Sequence, residues 1–211
     1  AMPVYGYEED VTCPLNVRDR AAIITTLNDD KSVFRVTGCA GFGCHENSYR
    51  VCGELGQAEN VRGSGGKIML RYNGWTKPED MEEVNCYDPS WNDPDEQKII
   101  ESGHGGSDYL TARMFLECIE EGRQPEHPFH VHSAVAMSSV AILAHRSMLE
   151  GGKPYEIPDF HTEEARKQYE NDRATIFYGT DGSEPDLPCC SHPDYRPTDE
   201  QMRRYLELFG R

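Results

Sequence analysis

The sequence predicts an α+β fold: an open, mostly antiparallel sheet with helices packed on one face of it. Three observations carry this. Short segments rich in β-branched residues, punctuated by Asn, Asp and Gly turns, fill the stretch from Arg20 to Tyr72. A stripe of apolar residues at 3.6-residue spacing runs from Ser107 to Glu121. A longer, more uniformly apolar stretch follows from Phe129 to Leu149. Strands first and helices later is the pattern of helices laid on an antiparallel sheet.

The elements follow in order. Residues 1–19 are polar and read as an irregular N-terminal segment, and Ala1-Met2 reads as a cloning remnant. Arg20–Leu27 and Ser32–Cys39 flank the turn Asn28-Asp29-Asp30-Lys31 and form a hairpin. Ser48–Cys52, Gln57–Arg62 and Lys67–Tyr72 are further strands, separated by Gly53-Glu54-Leu55-Gly56 and by Gly63-Ser64-Gly65-Gly66. Residues 73–96 hold both tryptophans and several prolines and read as a long loop. In the helix 107–121, Leu110, Met114, Phe115, Cys118 and Ile119 share a face, and Gly122 stops it. The helix 129–149 is apolar nearly all round through Val131, Val135, Val140, Ile142, Leu143 and Leu149, which predicts a buried helix ended by Gly151-Gly152. Polar amphipathic helices are expected at 162–173 and 198–208. The domain reading is a sheet-plus-helix body over 20–160 and a C-terminal helical extension over 161–211.

Composition excludes some functions. Acidic residues outnumber basic ones 37 to 21, a formal charge of −16, which disfavours nucleic acid and anionic membrane surfaces as partners. Hydrophobic content is 37% with a mean hydropathy of −0.71, and no apolar run reaches the roughly 18 residues of a membrane span. Eight cysteines at 13, 39, 44, 52, 86, 118, 189 and 190 form no C-x-x-C pair, so they read as reduced thiols of a cytoplasmic protein. The sheet face bearing Phe34, Val36 and Tyr72 is not purely polar, which predicts self-association as a closed homo-oligomer.

The strongest local signal is Gly103-His104-Gly105-Gly106-Ser107-Asp108-Tyr109. Glycines admit positive φ and close backbone approach. Ser107 is placed to cap the following helix and Asp108 sits in its first turn. His104 is left on a loop at the positive end of the helix, where a polar ligand or anion would be received. A histidine beside a carboxylate can act in acid–base chemistry, so His104 and Asp108 are the candidate catalytic pair. The loop Cys44-His45-Glu46-Asn47-Ser48-Tyr49 supplies a second candidate set. His45, Asn47 and Tyr49, with His104, offer the mixed donor and acceptor edges that a sugar or polyol requires.

These segments carry a family resemblance. The 103–109 turn, the apolar helix after it, Gly151-Gly152-Lys153-Pro154-Tyr155-Glu156-Ile157-Pro158-Asp159-Phe160, and the upstream Asn47-Ser48-Tyr49-Arg50-Val51-Cys52-Gly53-Glu54-Leu55-Gly56 together resemble the C-terminal half of Gfo/Idh/MocA-type oxidoreductases. The likeness covers residues 20–160 and is nearest to the subgroup related to the NAD-dependent family 109 glycosidases. It implies a domain that binds a small carbohydrate-like substrate and mediates self-association, in a longer enzyme that transfers hydride to NAD or NADP. A Rossmann domain precedes this one in the family. Here no G-x-G-x-x-G opens a βαβ unit, and the family's E-K-P lysine motif has only Thr76-Lys77-Pro78 as its nearest string. The cofactor is therefore expected to bind mainly outside this chain. The alternatives are a stand-alone binding or assembly module without catalysis and part of an NAD-dependent glycosidase.

A metal site is the weaker reading. Cys189-Cys190-Ser191-His192 and the His127, His130, His132 series lack the spacing of a convergent four-ligand zinc site, so no metal is expected.

Overall fold

The computed structural model describes residues 2–9, 17–39, 47–125 and 130–209, with the backbone alone at 2–9, 17–21, 39 and 209. The chain divides into two compact units: Ala1–Gly43 with Phe129–Arg211, and Cys44–Pro128. This division differs from the expected body over 20–160 with a 161–211 extension. The C-terminal stretch groups with the chain's beginning, and the middle stretch stands as its own unit.

The first unit opens with three antiparallel strands in the order β1-β2-β3: β1 (Met2–Glu9), β2 (Val17–Leu27) and β3 (Val33–Cys39). The expected β2–β3 hairpin forms in continuous register from Ala21↔Cys39 to Leu27↔Val33. Its turn is closed as Asn28 and Asp30 suggest. The Asn28 amide donates to the Ser32 hydroxyl at 2.9 Å, and Asp30 accepts from the Ser32 N–H at 2.9 Å. The segment 1–19, expected to be irregular, instead supplies β1 and the start of β2, paired from Met2↔Ile23 to Glu9↔Val17.

Helix α3 (Val131–Leu149) lies against β1. It was expected to be buried all round. Only Ser139, Leu143, Ala144 and Ser147 are buried, a narrow stripe of mostly small residues, while Val131, Val135, Met137 and Ile142 are exposed. Phe129, placed at its start from the sequence, lies outside the described residues. Helix α4 (Glu163–Tyr169) is capped by Thr162, whose hydroxyl accepts from the Ala165 N–H at 3.3 Å. Helix α5 (Asp199–Phe209) is held by Tyr205, which packs on Tyr178 and donates its hydroxyl to the Tyr178 carbonyl at 3.0 Å.

The second unit contains a separate antiparallel sheet in the order β4-β5-β6-β7: β4 (Arg50–Cys52), β5 (Gly56–Asn60), β6 (Ile68–Tyr72) and β7 (Val84–Tyr87). The single meander expected from the sequence is thus two sheets. Tyr72 lies in β6, on a different sheet from Phe34 and Val36. Strand β7 lies in the middle of the stretch 73–96 expected to be a loop, and the short helix α1 (Glu96–Glu101) begins at its last residue. Helix α2 (Ser107–Glu121) has the expected bounds and ends at Gly122, whose φ of 62° turns the Arg123 N–H back to the Cys118 carbonyl at 3.1 Å. Its apolar stripe is not covered: Met114, Phe115 and Ile119 are exposed. The described fold is α+β with antiparallel sheets.

Candidate functional site

The glycine turn between α1 and α2 is fixed by two packing demands. Ile99 of α1 is 0% exposed, and a Cβ added at Gly106 would meet its Cγ2 at 2.5 Å. Gly106 also has a φ of 99°, which residues with a side chain rarely adopt. At Gly103 an added Cβ would collide with the carboxylate of Asp108. The turn His104–Gly106 runs through positive φ at every residue, 53° at His104 included.

This geometry brings the predicted pair together. His104 Nδ1 lies 2.9 and 3.0 Å from the two carboxylate oxygens of Asp108. An ionised carboxylate only accepts, so Nδ1 carries the proton and Nε2 is the lone-pair nitrogen of the neutral ring. The His104 side chain is 83% exposed and that of Asp108 58%. One expectation about the turn is corrected. Ser107 does not cap α2: the N-cap is Gly106, and the Ser107 hydroxyl donates to the His104 carbonyl at 2.9 Å. The N-cap makes no side-chain hydrogen bond, and the Asp108 carboxylate of the first turn is paired with His104.

The turn is braced from behind by residues that sequence reasoning missed. Arg113 of α2 forks onto Asp93, with its two terminal nitrogens 2.9 and 2.8 Å from the two oxygens. Tyr109, one turn before Arg113, donates its hydroxyl to Asp95 at 2.8 Å, and Lys98 of α1 donates to the other Asp95 oxygen at 2.7 Å. The available signal was the i, i+4 pair Tyr109/Arg113 facing two acids just ahead of α1. Arg113 holds the Asp93 carboxyl down to about 2, below its ordinary 3.8, with a further contribution from the Asp95 N–H. A depressed carboxyl stabilises the fold above its unfolded value and loses that contribution as pH falls through its folded value. Acid titration of the urea midpoint should therefore show a loss of stability between about pH 4 and 2, and Asp93→Asn should remove much of that slope. An unchanged slope would show that the fork does not hold in solution.

Of the second candidate set, His45 lies outside the described residues. Asn47 and Tyr49 are brought together by Asn60. Its amide donates to the Asn47 carbonyl at 2.7 Å, and its side-chain oxygen accepts from the Tyr49 N–H at 2.6 Å. The Tyr49 ring is exposed. No described hydrogen bond or ring contact joins this segment to the His104 turn. Trp75, just after β6 in the stretch expected to be a loop, is 85% exposed.

Gly63-Ser64-Gly65-Gly66 closes the antiparallel β5–β6 hairpin and opens no helix, and every described strand pairing is antiparallel. This glycine run does not fit a pyrophosphate, which needs a strand–turn–helix crossover. Among the described residues no three His, Cys, Asp or Glu side chains gather as a metal site, and no helix is long and apolar enough to cross a membrane. Of the weighed metal candidates, His127 lies outside the described residues. A half-open cavity of about 300 Å³, lined in part by Tyr178, Cys189, His192, Tyr195 and Arg196, lies in the other unit from the His104 turn.

An antiparallel α+β chain with an imidazole–carboxylate turn leading into an amphipathic helix has the make-up of a Gfo/Idh/MocA-type C-terminal domain. The family model described as glycosyl hydrolase 109, C-terminal domain, matches residues 45–168, and the chain belongs to that family. Curated relatives agree. A glycosyl hydrolase family 109 protein of Streptomyces niveus is 34% identical over 86 residues, covering 41% of this chain and 15% of that protein. One from Solibacter usitatus is 31% identical over 94 residues, 42% of this chain and 21% of the relative. Glycosyl hydrolase family 109 protein 2 of Akkermansia muciniphila is 35% identical over 72 residues, 34% and 15% respectively. The matched part of the chain thus spans about a fifth or less of these relatives. No solved structure matches the chain.

Proposed function

We propose that this chain is the substrate-side domain of a nicotinamide-dependent, glycosidase-like enzyme acting on a small carbohydrate. The observation that carries the reading is the His104–Asp108 pair, set on a turn whose Gly103 and Gly106 are demanded by packing, within the segment matched by the family. Asp108 orients the ring and His104 presents Nε2 to a sugar hydroxyl, as a proton acceptor or hydrogen-bond partner. Asn47 and Tyr49, tied together by Asn60, and the exposed Trp75 supply a second set of sugar contacts from the same unit. NAD or NADP belongs to the part of the enzyme outside this chain, since the glycine run described here does not fit it. The relatives' names favour glycoside cleavage over net oxidation of a polyol.

The test uses the parent protein with a panel of aryl glycosides and added NAD. His104→Ala is expected to lower kcat about tenfold or more, and Asp108→Asn is expected to fall between it and the parent. Both side chains are exposed, so circular dichroism should show intact folding. Unchanged turnover in His104→Ala would remove the turn from the site. A chain that assembles other proteins without catalysis would give no turnover in any variant.

Self-association is proposed through β2 and β3, where Phe34 and Val36 are exposed on one face of the hairpin and Leu27 and Val33 on the other. Light scattering at micromolar concentration should give more than one chain per particle, and Phe34→Glu should reduce it to one. A monomeric parental chain would overturn this.

A further inference from the structure

Cys190 lies beyond the matched family segment and outside the site proposed above. Its Sγ is 3.7 Å from Nδ1 of His145 on α3. The other ring nitrogen, Nε2, is 3.1 Å from the Pro188 carbonyl. A carbonyl can only accept, so Nε2 carries the ring proton and the lone pair of neutral His145 is on Nδ1, facing the thiol. The His145 carbonyl is also near Sγ, at 3.8 Å, but it cannot keep a proton; the imidazole can. The neighbouring charge is engaged elsewhere: Arg146 binds both oxygens of Asp172, at 2.8 and 2.6 Å. Cys190 itself is half-buried, and its neighbours Cys189 and His192 line the 300 Å³ cavity.

We propose that Cys190 is an imidazole-activated thiol and a modification site for hydroperoxides. A histidine that takes the thiol proton raises the thiolate fraction, and the thiolate is the reactive form. The proton passes from Sγ to Nδ1. The thiolate then attacks the terminal oxygen of the hydroperoxide, an S–O bond forms and the O–O bond breaks. The departing alkoxide, or hydroxide from hydrogen peroxide, takes the proton back from Nδ1. Sulfur is oxidised by two electrons to the sulfenic acid, and the peroxide is reduced to an alcohol or water.

The experiment treats the 211-residue chain with hydrogen peroxide, traps sulfenic acid with dimedone and locates it by tandem mass spectrometry, which separates Cys190 from Cys189. Cys52 and Cys86, both exposed free thiols, are the internal references. At pH 6 Cys190 is expected to be labelled about tenfold faster than either, the thiolate gain being partly offset by lower nucleophilicity. Its rate should be nearly flat between pH 7.5 and 9. His145→Ala should bring Cys190 down to the reference rate. Should that variant fail to fold, the pH profile of the parental chain decides by itself. A Cys190 rate no faster than Cys86, rising through about pH 8.5 like an ordinary thiol, overturns the proposal.

Discussion

Gly106→Ala is expected to destabilise the 44–128 unit by about 3 kcal/mol. Two costs add. A side chain at a φ of 99° carries backbone strain of about 1–2 kcal/mol. The new methyl would also stand 2.5 Å from Cγ2 of Ile99 and 3.4 Å from Cζ2 of Trp91, so a fully buried side chain must move, typically for about 1–3 kcal/mol. Both tryptophans, Trp75 and Trp91, belong to this unit, so urea unfolding followed by tryptophan emission reports it directly. A midpoint shift corresponding to less than about 0.5 kcal/mol would mean that the turn does not pack as described. The same substitution should loosen the His104–Asp108 pair, which sits on the turn that must yield.

Ile99→Ala is the second large effect, at about 3 kcal/mol, the ordinary cost of truncating a fully buried isoleucine. Ile99 is fully buried, and its Cγ2 lies where a Cβ at Gly106 would stand. The informative measurement is the double variant. Removing Cγ2 clears the place that the alanine methyl of Gly106→Ala would occupy. The two losses should then sum to less than their separate values by about 1–2 kcal/mol, leaving mainly the φ cost. Strict additivity would show that the two residues do not touch.

The parts of the fold legible in the sequence are those with strong local signals. Helix α2 has the expected bounds because a 3.6-residue stripe ends on a glycine that adopts positive φ. The β2–β3 hairpin was readable from Asn28 and Asp30, whose side chains do bond across the turn. Strand β7 and helix α1 were hidden by their length, four and six residues, among prolines and acids. Strand β1 was hidden because Met2–Glu9 carries a proline, a glycine and two acids yet finds a partner in β2, a tertiary pairing that overrides weak propensity. The division into two sheets was invisible, since Phe34 and Tyr72 obey the same alternation whichever sheet they join. The His104–Asp108 contact was legible from i, i+4 spacing. The Arg113 fork was not, because Asp93 is twenty residues away and only the folded chain brings them together.

The two-unit division has a consequence for the order of events during synthesis. The 44–128 unit is one unbroken stretch, whereas its companion is assembled from chain on either side of it. As the polypeptide leaves the ribosome, the middle stretch is complete while β1–β3 still await α3. A substitution such as Gly106→Ala falls in the stretch that is synthesised whole before α3 exists, so its cost is expected to be felt while the polypeptide is still being made.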